Sequence, residues 1–113
     1  MDADQLLFSY GTLQRPDVQL DTVGRHLEDE PDVLPGYRLD YVEVQDRRVE
    51  DASQRRRQPM LRPTGDPLDK VVGRTMWLTE SELDACDEYE ASLYRRVAVV
   101  LASGRSAWVY VAN

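Results

Sequence analysis

The residue best placed by type and spacing to do chemistry is Glu90, which ends the segment TESELDACDEYE at residues 79 to 90. Leu83, Cys86 and Glu90 are three and four residues apart, which on a helix puts them on one face, with Leu83 and Cys86 turned to the core. A carboxylate that continues an apolar stripe meets a desolvation cost, so its expected place is the rim of the core, where a pocket can open. The plain alternative is a solvated helix glutamate. The second such segment is Tyr10-Gly11-Thr12-Leu13. A glycine lets backbone approach a ligand closely, and successive turn amides can hold a carboxylate or a developing oxyanion. Here the plain alternative is a tight exit from a strand.

Other chemistries find little support. The chain has one cysteine, Cys86, and one histidine, His26, so an intrachain disulfide is excluded and neither a zinc site nor a nucleophilic triad is expected. Cys86 reads as a small core residue and His26 as an exposed helix residue rather than a catalytic one. A net charge of −7 repels polyanions, so nucleic acid is not an expected partner. The tract Arg55-Arg56-Arg57, with polar neighbours and no interleaved aromatics, reads as a solvated loop rather than a phosphate-binding patch. Apolar runs such as Val97 to Ala102 fall far short of the roughly 20 residues that span a bilayer, and the N-terminus lacks a signal-peptide pattern. No membrane role and a cytoplasmic location are therefore expected. At 113 residues the chain fits one domain built on one core.

The elements that must carry these residues can be read in outline. Gln5 to Tyr10 is a short apolar and aromatic run ending at Gly11, as in a buried strand entering a turn. Pro16 in a first helical position, followed by Val18, Val23 and Leu27, predicts a short helix that includes His26. After the Pro35-Gly36 turn, Tyr37 to Val44 alternates as a half-exposed strand does. Gln45 to Gln58 is charged and aperiodic, a loop or strand extension. Strands are predicted at Pro59 to Arg62 and Val71 to Trp77, with turn-forming residues 63 to 67 between them. Thr79 and Glu82 have the spacing of an N-cap and its reciprocating carboxylate, so the helix begins at Thr79. Two β-branched and aromatic runs, YRRVAVVL and SAWVYV, joined by Ala102 to Arg105, predict a closing hairpin. Trp77 and Trp108 are expected to fill core space.

Taken together, FSYGTL at residues 8 to 13 and WLTESELDACDEYEASLYRRVAVVL at residues 77 to 101 resemble the γ-glutamylcyclotransferase-like family, of the avirulence-induced protein and γ-glutamylamine cyclotransferase type. LPGYRL at 34 to 39 and QPMLRPTGDPLDKVVGRTMWLT at 58 to 79 are similar to its middle region. The resemblance implies an α+β fold, a small mixed curved sheet or barrel with a few short helices. It implies that the backbone of Tyr10, Gly11, Thr12 and Leu13 receives the γ-glutamyl group and that Tyr94 helps to line the pocket. It also implies that the catalytic glutamate ends the helix before YRR. Two frames compete, LDACD and CDEYE. The second, which puts Cys86 in place of the usual leucine, makes Glu90 catalytic, whereas the first would substitute Asp87. Arg95 and Arg96 point to opposite sides of a strand, so only one can face the site.

The implied reaction is release of 5-oxoproline and a free amine from a γ-glutamyl amine or amino acid. The substrate's own α-amine is the nucleophile, so no protein nucleophile, metal or cofactor is required. One carboxylate can take the proton from the ammonium and return it to the leaving amine. Burial and the unfavourable dipole of a helix C-terminus would raise its pKa. Glutathione is not the expected substrate, since YGTLQRP runs into a short helix. The competing reading is a non-catalytic module that uses the same pocket to bind a small ligand or protein.

Overall fold

The structure, a computed structural model, describes residues 3–44 and 56–112. In chain order the elements are β1 (Gln5–Ser9), a 3-10 turn (Thr12–Gln14), α1 (Pro16–Val23), β2 (Asp29–Pro35), β3 (Tyr37–Val44), β4 (Arg56–Pro63), β5 (Lys70–Leu78), α2 (Glu80–Glu90), β6 (Tyr94–Val100) and β7 (Ser106–Ala112). Five strands form a mixed, curved sheet in the order β2-β5-β1-β7-β6, and β3 and β4 form a separate antiparallel ribbon. The result is the α+β architecture expected from the sequence. No helix among the described residues is long and apolar enough to cross a membrane.

β1 runs antiparallel to β5 and parallel to β7, so it lies inside the sheet with both faces covered. This is why its sequence is a continuous apolar run rather than an alternating one. Its side chains divide between two clusters. Leu6 and Phe8 join Leu34, Leu61, Val71, Leu101 and Val109 on one face. Leu7 joins Leu13, Leu78, Leu83, Cys86 and Tyr110 beneath the helices on the other. β7 follows the same alternation, with Val109 and Val111 on the first side and Tyr110 on the second.

Two sequence expectations are corrected, for the first helix and for the tryptophans, and one strand was not anticipated. α1 stops at Val23 because Gly24 caps it in the left-handed region, at φ 79°, with its N–H on the Leu20 carbonyl at 3.0 Å. His26 therefore lies beyond the helix, exposed, while Leu27 still packs on the core beneath the helices. The acidic stretch at residues 29 to 32 opens a strand, β2, which pairs with β5 alone; as an edge strand it tolerates Pro31 and Pro35. Trp77 is 48% exposed because β5 runs on past the covered part of its face. Trp108 is half-buried, with the Arg96 guanidinium 4.3 Å above its ring and its indole N–H on Gln5 Oε1. Of the unreadable charged stretch, residues 45–55, Arg55 included, lie outside the described residues, and the backbone of Arg56 to Gln58 belongs to β4.

Candidate functional site

The turn after β1 is fixed mainly from behind. Gln14 donates its side-chain amide to Ser9 O at 2.7 Å, and its backbone N–H to Gly11 O at 3.2 Å. Arg15 N–H reaches Thr12 O at 2.9 Å. Gln19, 3% exposed, donates to Leu13 O and accepts from Leu27 N–H, both at 2.9 Å. A 3-10 turn leaves its leading amides, here those of Thr12 and Leu13, without an acceptor inside the turn. Gly11 has φ −142°, so no left-handed conformation demands a glycine there. A Cβ at Gly11 would lie 3.7 Å from Pro59 Cγ, an ordinary contact.

Helix α2 is anchored at its start by the anticipated capping box. Thr79 Oγ1 accepts from Glu82 N–H and Glu82 Oε1 accepts from Thr79 N–H, at 3.2 and 2.9 Å. Arg25 adds a clip from the α1 exit, its Nε donating to Glu82 Oε2 at 2.6 Å. The Arg25 hydrogen bond, with the capping-box bonds adding to it, outweighs burial and holds the Glu82 carboxyl down at about 2. Leu83 and Cys86 are buried at 2% and 1%, as their spacing predicts. Glu90, on the same face at the helix end, is half-buried.

Tyr10, Gly11, Thr12, Leu13, Glu90 and Tyr94 all line one cavity of about 470 Å³. Two segments far apart in sequence are thus brought to one space. Sequence reading missed its other walls: Phe8, Ser9, Arg15, Pro59 and Tyr110. Tyr110 is there because β7 lies parallel beside β1, a pairing that no local pattern announces.

The electrostatics divide the lining groups by role. Burial pushes the Glu90 carboxyl up to about 7. Tyr10 is held well above the usual phenol range by burial, with Tyr94 and Glu90 adding to it, and it donates to Tyr110 O at 2.6 Å. Burial, then the nearby Glu90 charge, pushes Tyr94 up to about 12, and it donates to Pro59 O at 2.7 Å. Both phenols therefore stay protonated at neutral pH. Arg15 is exposed at the rim and paired with Asp17 at 2.7 Å. The Cys86 thiol is pushed up to about 12, by burial first, so it is no thiolate nucleophile.

Asp87, the rival carboxylate, does not line the cavity. Its Oδ1 accepts from Tyr110 OH at 2.7 Å and its Oδ2 from Arg96 at 3.2 Å. Of the two strand arginines, Arg96 turns to the helix side and Arg95 to solvent, and neither lines the cavity.

The sequence matches the family model described as gamma-glutamyl cyclotransferase, AIG2-like, over residues 7–113. Solved structures share the fold. A solution structure from Arabidopsis thaliana superposes with a TM-score of 0.75 at 23% identity, over 96% of this chain and 61% of its own. A second solution structure from Arabidopsis thaliana gives 0.68 at 24% identity, over 99% and 73%. A structure described as gamma-glutamyl cyclotransferase gives 0.69 at 17% identity, over 96% and 66%. The chain thus spans 61% of the first of these, and at such identities the likeness establishes the fold alone. Comparison with curated proteins gives no match.

Proposed function

This chain belongs to the gamma-glutamyl cyclotransferase, AIG2-like family, and on that premise we propose that it releases 5-oxoproline and a free amine from a small γ-glutamyl compound, with Glu90 as general acid and base. The observation that carries the reading is the meeting of Glu90 and the Tyr10 to Leu13 turn in one cavity. As the free α-amine of the substrate attacks the γ-carbonyl carbon and a C–N bond forms, Glu90 takes a proton from the attacking nitrogen. The oxyanion is met by amides of the turn. The bond to the leaving nitrogen then breaks, and Glu90 returns the proton to that nitrogen, so the carboxylate is regenerated. A carboxyl near 7 suits both transfers, because it accepts and donates a proton at comparable cost at neutral pH. Tyr10 and Tyr94, their hydroxyls spent on backbone carbonyls, supply rigid walls that keep the glutamyl chain folded toward its own carbonyl.

The test is release of 5-oxoproline from a panel of γ-glutamyl amines and amino acids. Glu90→Gln keeps the shape but cannot move a proton, and turnover is expected to fall about 10²- to 10⁴-fold. Asp87→Asn is the control. It loosens the contacts to Tyr110 and Arg96, so melting is expected to fall while most of the turnover per folded molecule survives. An active Glu90→Gln beside an inactive Asp87→Asn would transfer the role to Asp87. A wild type inactive on every substrate would leave the pocket as a binding site.

A further inference from the structure

We infer that Tyr89 is a positioning residue for Glu90: its phenol, bonded to Thr12 Oγ1 at 2.9 Å, straps the last turn of α2 to the turn after β1 and fixes the span between the carboxylate and the turn amides. The inference rests on the proposed role of Glu90. Among the described residues the Glu90 carboxylate takes no hydrogen bond, so its position depends on the backbone that carries it. That backbone is held unevenly. The start of α2 has its capping box and the Arg25 clip, and the middle has buried Leu83 and Cys86 with Asp87 on Tyr110. At the end, Glu88, Ala91 and Ser92 are exposed, and the backbone bonds tighten to Leu93 N–H on Glu90 O at 3.1 Å. Beside the bonds of Asp87 to Tyr110 and Arg96, which hold the other side of that turn, the Thr12–Tyr89 bond ties it to the turn after β1, joining two residues 77 positions apart.

Tyr89 is 45% exposed and does not line the cavity, so it neither shapes the pocket nor fills the core. A hydroxyl pair in contact with water adds little to stability, because water replaces either partner. Its effect is therefore expected in turnover rather than in melting. The groups facing Glu90 from the packed elements are Tyr10 in the turn after β1, Tyr94 on β6 and Cys86 on its own helix, with Arg15 and Tyr110 on the same cavity wall. Removing the Tyr89 hydroxyl leaves each of these groups in place, and of them Tyr94 alone has Tyr89 among the charges acting on it.

Three variants test this: Tyr89→Phe, Thr12→Val and the double variant. Tyr89→Phe is expected to lower kcat about tenfold, within the 10²-fold that a misplacement of about 1 Å can cost. Its melting temperature should stay within about 2 °C of wild type. The acid limb of its pH profile should move below wild type, toward the ordinary carboxylate range, as water reaches Glu90. The double variant should be no worse than the poorer single, since both remove one bond. Unchanged kcat in Tyr89→Phe, additive losses, or a loss that only follows melting would overturn the inference. Titration of the Glu90 carboxyl by carbon NMR gives a readout independent of turnover. If wild type turns over no substrate yet the Glu90 titration still shifts in Tyr89→Phe, the strap stands and the proposed reaction falls.

Discussion

Burial lifts the Glu90 carboxyl to about 7 from the 4.5 of an ordinary glutamate, so between those values the folded protein holds a proton that the unfolded chain has released. Stability therefore falls as pH rises through this window, and the loss is complete above about 7. Glu90→Gln, with no charge to desolvate, escapes the penalty. Its melting temperature is expected to exceed that of wild type by a few degrees at pH 8, roughly what 1 kcal/mol or less is worth in a domain this size, and to match it near pH 4. Glu82 works with the opposite sign. Its contribution is present above 4.5 and lost as pH falls toward about 2, in wild type and variant alike, so the difference between them isolates Glu90. A variant that melts higher at pH 8 while losing turnover marks a residue retained for chemistry. Equal melting at pH 8 would mean that water reaches the carboxylate and that burial does not poise it.

At the scale of elements, what the sequence made legible was whatever local chemistry encodes. The Thr79 and Glu82 spacing announced α2, the apolar run announced β1, and the turn at Ala102 to Arg105 announced the β6–β7 hairpin. β2 was not legible, because an acidic edge strand carrying two prolines has neither alternation nor β-propensity to betray it. The demands of packing were equally hidden. Gly11 and Gly73 look alike in sequence, yet a Cβ at Gly73 would come within 2.5 Å of Ser9 O and 2.6 Å of Phe8 Cζ, whereas at Gly11 the nearest atom is 3.7 Å away. Ser9 belongs to a central strand and its carbonyl cannot move aside without disturbing the β1 pairing. Gly73→Ala is thus expected to cost about 1–3 kcal/mol, the usual penalty of overpacking, and to lower melting accordingly. Gly11→Ala is expected to melt close to wild type and to lose turnover, since its methyl would occupy the cavity beside Pro59. Thermal melts set beside 5-oxoproline release would separate the two, and a Gly11→Ala variant losing activity only in step with folding would make that turn structural.

At the scale of the molecule, the resemblance implied a curved sheet or barrel, and the way the sheet bends explains both words. Its strand order leaves β2 and β6 at opposite edges, yet the loop after β6 reaches back to β2, with Ala102 N–H on Val33 O at 2.8 Å. A polar cluster locks that contact. Asp32, 8% exposed, accepts from Ser103 Oγ at 2.7 Å and from Arg105 at 3.2 Å, and the same guanidinium reaches Thr75 Oγ1 at 3.3 Å. Burial would raise the Asp32 carboxyl, but the bonds from Ser103, Val33 N–H and Arg105 together hold it below the usual carboxylate range. The hairpin end of the latch could be read from sequence, whereas the strand that receives it could not. Asp32→Ala would strip Ser103 and Arg105 of their shared acceptor and leave the Arg105–Glu30 pair at 3.6 Å and the packing of Leu34 and Leu101 to hold the edges together. Arg105 is partly exposed and can turn to water, which puts the expected loss at about 2 kcal/mol, below that of a fully buried pair. Hydrogen exchange locates the effect. The Ala102 amide should lose protection ahead of Val109 and the other β7 amides, because the latch opens before the sheet unfolds. If Ala102 in Asp32→Ala exchanges as slowly as in wild type, apolar packing alone closes the sheet and the polar cluster merely decorates the seam.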